Sequence, residues 1–87
     1  MMQRKSIETV IIDKLAIAGG LNAEEISIDS KIDDLAIDSI SMVDFAVGLE
    51  DAFNIEIECL DPVEIEALTD VRDLVIAKIE EQVPVAA

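Results

Sequence analysis

An all-α domain, a small four-helix bundle of three longer helices and one short one, is the fold class this sequence predicts. Three observations carry the prediction. Apolar residues recur at steps of three and four in separate stretches along the chain. Glycine and proline number only 3 and 2 and lie mostly outside those stretches, too few for a many-turned β chain. Finally, 87 residues can bury only one small core, so 1–87 reads as a single domain with its core at about 6–80. Although 52% of the residues are apolar, Phe45 and Phe53 are the only aromatics. The core is therefore aliphatic.

The first helix is expected from Ser6 to about Ala18, where Ile7, Val10, Ile11, Leu15, Ala16 and Ala18 follow helical spacing and Gly19-Gly20 supplies the stop. Ser6 reads as its N-cap, with Glu8 placed favourably in the first turn. Residues 21–37 show no helical stripe and read as a long ordered loop. At roughly 17 residues it exceeds the usual ~12–15, so Leu21, Ile26, Ile28, Ile32 and Leu35 are expected to be pinned onto the helices. Asp38 caps a second helix running to about Phe53 and ending near Asn54, with Met42, Phe45, Ala46, Leu49, Ala52 and Phe53 as its core stripe. A loop over 54–63 leads to Pro62, which fits the first turn of a short helix reaching about Leu68. Thr69 or Asp70 then caps a final helix bearing Val71, Leu74, Val75, Lys78 and Ile79, the aliphatic stem of Lys78 covering apolar surface. The tail at 84–87 is expected to fray.

Charge narrows the function classes. With 20 acidic and 6 basic residues the net charge is −14, which keeps the chain soluble while its self-repulsion opposes compaction. Salt and divalent cations should stabilise it. No basic stripe is present to neutralise a phosphate backbone, which argues against nucleic acid and against an anionic membrane surface. No apolar run approaches the ~20 residues of a membrane span. Basic protein surfaces are the natural partners. Acids at Glu8 and Asp13 interrupt what a signal peptide would need as its apolar core, and the lone Cys59 forms no internal disulfide, both fitting a cytoplasmic protein.

The residue types also exclude most independent chemistry. Without His or Tyr, and with one Cys, nucleophilic triads and zinc sites have almost no material. Nothing in the sequence isolates two carboxylates as a general acid and base, so most acids read as solvated surface. An EF-hand register beginning at Asp29 puts Lys31, Asp34 and Ile40 where the loop needs an oxygen ligand, a glycine and a bidentate acid. It fails at all of them. Pairs such as Asp33-Asp34 offer loose surface binding of divalent ions and no specific metal site.

The informative segment is Asp33-Asp34-Leu35-Ala36-Ile37-Asp38-Ser39-Ile40-Ser41-Met42-Val43-Asp44-Phe45, followed by a helix end reading Leu49-Glu50-Asp51-Ala52-Phe53. Asp38-Ser39 alone is an N-cap and a first-turn serine that any helix could have. Around it, however, Ile40, Val43 and Val47 lie at i, i+3 and i+7 beside the core stripe, close to Asp44, Glu50 and Asp51, so the helix is apolar over more of its circumference than one core needs. The segment resembles the acyl carrier protein family, in which D-L-G-x-D-S-L precedes a helix ending in leucine, two acids and phenylalanine. The resemblance spans about residues 6–80. It implies that Ser39, with Asp38 as motif partner, receives 4′-phosphopantetheine from coenzyme A, a phosphopantetheinyl transferase supplying the base and magnesium. It further implies a monomeric carrier that is a substrate and not an enzyme, docking through Ile40, Val43, Asp44, Val47, Glu50 and Asp51 onto basic surfaces of acyl-loading and acyl-transfer synthase enzymes.

Three departures stand against the family pattern. Ala36 replaces the usual glycine and Ile40 the usual leucine. The stretch Glu58-Cys59-Leu60-Asp61-Pro62 is about three residues longer than in the housekeeping protein of fatty-acid synthesis, pointing to a specialised carrier for an unusual lipid, a polyketide or a secondary metabolite, with Cys59 an incidental loop thiol. A stand-alone peptidyl or aminoacyl carrier is the nearest rival, against which the acidic second helix and Asp38 speak. An acidic interaction module without cofactor is the rival of a different class, and a free-standing hydrolase the remotest.

Overall fold

The computed structural model describes residues 4–57 and 65–82 and contains three α-helices: α1 (Arg4–Gly19), α2 (Ser39–Phe53) and α3 (Leu68–Gln82). Two 3₁₀ turns, Ala23–Glu25 and Ile32–Leu35, lie in the connection between α1 and α2. Among the described residues no strand forms, and the only ladder element is an isolated antiparallel bridge between Lys31 and Ala67. The expectations for Glu58–Pro62, for Cys59, for the start of the short helix at Pro62 and for the tail at 84–87 fall outside the described residues.

Helix α1 begins earlier than its sequence signals implied. Ser6 is not an N-cap; it lies inside the helix and is exposed, while buried Ile7 fixes the first turns against the core. Arg4, Lys5 and Ser6 all tolerate helical backbone, so nothing local stops the helix from extending to Arg4. Glu8 serves a different purpose from the expected one: its Oε2 lies 2.8 Å from Arg72 Nη1 and ties α1 to α3. At the other end Gly20 adopts φ 65°, and the Leu21 amide donates to the Ala16 carbonyl at 2.9 Å. This is a Schellman closure, which needs a left-handed residue at Gly20.

The long connection is ordered by anchors of both kinds. Ile26 is buried, and Leu21, Ala23, Ile28, Ile32 and Leu35 pack against the core. Backbone bonds then stitch the connection to the segment before α3: the Ile32 amide donates to the Glu66 carbonyl at 2.9 Å, and the Leu68 amide to the Ser30 carbonyl at 3.0 Å. That pairing corrects two expectations. Residues 65–67 are not helical where the short helix was expected to continue, because the segment pairs with the connection. Neither Thr69 nor Asp70 is the cap of α3, which starts at Leu68. Asp70 instead sits in the first turn, and its Oδ2 reaches back to accept the amides of Glu66 at 3.0 Å and Ala67 at 3.2 Å. A carboxylate there satisfies orphan donors and complements the helix dipole.

The core is aliphatic around one aromatic ring. Ile11 and Leu15 from α1, Phe45 and Leu49 from α2, and Leu68, Val71 and Val75 from α3 are fully buried. Ile55 and Ile57 seal it from the chain leaving α2. Ala52, expected in the core stripe, is exposed; in the last turn Phe53 alone of the two packs inward. Lys78 is half-buried, its Nζ 3.9 Å from Glu81.

One strained residue leads into α2. Ala36 ends the second 3₁₀ turn at φ 52°, ψ 43°, its amide bonded to the Asp33 carbonyl at 3.3 Å. A left-handed conformation costs a residue with a Cβ about 1–2 kcal/mol, which glycine avoids. Ala36→Gly is therefore expected to stabilise the protein by about 0.5–1 kcal/mol, the relief being offset in part by the greater freedom of glycine in the unfolded chain. Urea denaturation of the two proteins measures it.

Candidate functional site at the start of α2

Asp38 holds the N-terminus of α2. With φ −78° and ψ 171° it lies just outside the helix, its Oδ1 accepting the Ser41 amide at 2.7 Å while its carbonyl accepts the Met42 amide at 3.0 Å. Donation from the Ser41 amide, then from the Ser41 hydroxyl, and to a lesser degree from the Ile40 amide, keeps the carboxyl below its ordinary pKa against a small opposing effect of burial. The charged form is thus the one the helix end binds.

The sign of the pH dependence follows. A depressed folded-state pKa means the cap contributes fully above the ordinary carboxylate range and is lost as pH falls through the lower, folded value. Asp38→Ala is expected to lower the melting temperature by a few degrees near neutral pH, with the gap to wild type closing in acid. Asp38→Asn, an equally good cap that does not titrate, should keep most of the stability and remove that pH dependence. Thermal melts across the acid range distinguish the three.

Ser39 is the first residue of α2 and is exposed, flanked by exposed Asp38 and Ile40. Along the helix Ile40, Val43 and Val47 are 74%, 62% and 49% exposed, so they are surface and not core. Asp44 and Asp51 are exposed beside them. The hydroxyl, an apolar stripe and two acids therefore share one helix, while Phe45 and Leu49 face inward. Glu50 stands apart from its expected company. It is half-buried, and its Oε2 accepts the Ile57 amide at 2.8 Å. Sequence reasoning missed that bond, although a carboxylate in the last turn of a helix opposes the dipole and is itself a signal of a local partner. The left-handed Ala36 also went unread, since alanine gives no local sign of it.

Ser39 thus offers an exposed primary hydroxyl at a helix start on a small acidic bundle, a place from which a domain can carry a group for other enzymes. Covalent attachment of a long flexible arm fits such a residue, because nothing on either side encloses it. Residues 7–77 match the family model described as phosphopantetheine attachment site. Similar proteins include the acyl carrier protein of Streptococcus pneumoniae, 35% identical over 78 residues that cover 90% of this chain and 92% of that one. The acyl carrier protein of Clostridium acetobutylicum is 32% identical over 78 residues, covering 88% and 96%. That of Solidesulfovibrio magneticus is 30% identical over 71 residues, covering 80% and 86%. The chain belongs to the phosphopantetheine-attachment family and, within it, to the acyl carrier proteins. It is a carrier and not an enzyme, its cofactor is covalent 4′-phosphopantetheine, and its partners are synthase and transferase enzymes. No helix among the described residues is long and apolar enough to cross a membrane.

Proposed function

We propose that the chain is a single carrier domain whose Ser39 bears the phosphopantetheine arm and that it delivers acyl thioesters to enzymes of fatty-acid, unusual-lipid or polyketide synthesis. The observation that carries this reading is the exposure of Ser39 at the first position of α2, directly after the capping Asp38. The arm, once attached, supplies a thiol for thioester formation. Ser39 Oγ attacks the pantetheine-bearing phosphorus of the coenzyme A pyrophosphate, so that the P–O–P bond breaks, a phosphodiester forms and adenosine 3′,5′-bisphosphate leaves; the base that takes the serine proton and the magnesium belong to the transferase. Asp38 and the Ser41 amide fix the helix end on which Ser39 stands.

Ile40, Val43 and Val47 offer partners an apolar stripe, and Asp44 and Asp51 offer charge that steers a basic surface toward it, an attraction that salt weakens. A monomer working in the cytoplasm, where coenzyme A and the transferase meet it, is consistent with this role. Intact mass after incubation with coenzyme A, magnesium and a broad-specificity phosphopantetheinyl transferase is the test. A gain of one phosphopantetheine unit supports the reading. No gain by folded apo protein, with a known carrier modified alongside, favours an acidic interaction module instead.

A further inference from the structure

Glu50 is the residue through which α2 holds the chain that leaves it. Its carbonyl accepts the amides of Asn54 and Ile55, the second at 3.2 Å, and its Oε2 accepts the amide of Ile57 at 2.8 Å. Asn54 makes the turn in the left-handed region at φ 54°, and the chain leaves the helix there. Ile55 and Ile57 are 4% and 7% exposed, with Glu56 exposed between them. The alternation places two core side chains on one side of the segment, and the Glu50 carboxylate takes the donor that comes with the second. An unpaired amide beside a buried isoleucine is costly, and a negative charge in the last turn of a helix is disfavoured by the dipole. Both costs are met by the same bond.

We propose that Glu50 is a positioning residue for the docking helix and not an acid read by partners. It fixes segment 54–57, and with it the turn of α2 that presents Asp51. The inference rests on the docking reading above and divides its acids in two. A cation drawing the Glu50 carboxylate outward would strip the Ile57 amide of its acceptor, whereas Asp44 and Asp51 are exposed and can meet a basic partner without disturbing the fold.

The test uses the full chain and two readouts: hydrogen exchange at the Ile57 amide, and the salt dependence of the transferase KM. Glu50→Gln retains an acceptor oxygen, so Ile57 protection should stay within about threefold of wild type and the salt slope should not change. Glu50→Ala should lower Ile57 protection by about tenfold or more. Asp44→Asn and Asp51→Asn should raise KM at low salt and flatten its salt dependence. The proposal is overturned if Glu50→Gln flattens the salt dependence as Asp51→Asn does, or if Glu50→Ala leaves Ile57 protection unchanged. Should Asp44→Asn and Asp51→Asn both leave KM unaltered while Ser39 is still modified, the docking reading fails, and Ile57 protection alone decides whether Glu50 holds the segment.

Discussion

A Ser39→Ala chain given coenzyme A, magnesium and a phosphopantetheinyl transferase is expected to gain no mass, while Ser41→Ala gains one phosphopantetheine unit as wild type does. The two serines stand two residues apart at the same helix end, yet their surroundings differ. Ser39 is exposed and takes no part in the cap. Ser41 is half-buried, and its amide donates to Asp38 Oδ1 at 2.7 Å. A transferase that must bring an oxygen in line with a pyrophosphate reaches the first and not the second. Removing the Ser39 hydroxyl leaves no nucleophile for the transferred group, so the loss is complete and not graded. It also leaves the fold intact, because alanine suits an exposed first-turn position and such substitutions fall within about 0.5 kcal/mol. Identical urea transitions for wild type and Ser39→Ala would establish that the missing mass reflects chemistry. Modification of Ser39→Ala, or loss of modification in Ser41→Ala, would move the attachment point to Ser41.

The parts of the fold that were legible are those with local causes. Asp38 announces the start of α2 because its carboxylate has an immediate use, and Asn54 announces its end because asparagine tolerates the left-handed turn. The exposed stripe of Ile40, Val43 and Val47 was readable as a surplus beside the core stripe of Phe45 and Leu49, and no other element among the described residues claims it. What escaped has non-local causes. Arg4, Lys5 and Ser6 carry no mark that distinguishes helix from entry. Residues 65–67 have helix-compatible side chains but are drawn out by pairing with Ser30 and Ile32, more than thirty positions away. Glu50 reads as one more surface acid until the fold delivers the Ile57 amide to it. Ala36 hides its left-handed backbone behind an unremarkable side chain, although the family preference for glycine at that place has the same physical basis.

Phe45→Ala is expected to cost about 3–5 kcal/mol of stability. Phe45 is the only aromatic residue that is fully buried, and it lies mid-way along α2 in a core otherwise built from Ile, Leu, Val and Ala. Small aliphatic neighbours have few rotamers with which to fill the space of a lost ring, so a cavity remains and its cost adds to the lost transfer free energy. Domains of this size hold on the order of 5 kcal/mol, and a net charge of −14 draws that down further through self-repulsion. The variant should therefore sit close to its unfolding midpoint without denaturant, and urea titration should show the midpoint reduced by roughly 2 M or more at an unchanged slope. Added magnesium or salt should recover part of the loss by screening the acids, since that term is independent of the cavity. Phe45→Leu retains most of the buried volume and should cost far less. Val43→Ala on the exposed stripe should leave the midpoint nearly unmoved, separating the face of α2 that holds the fold from the face left open to partners.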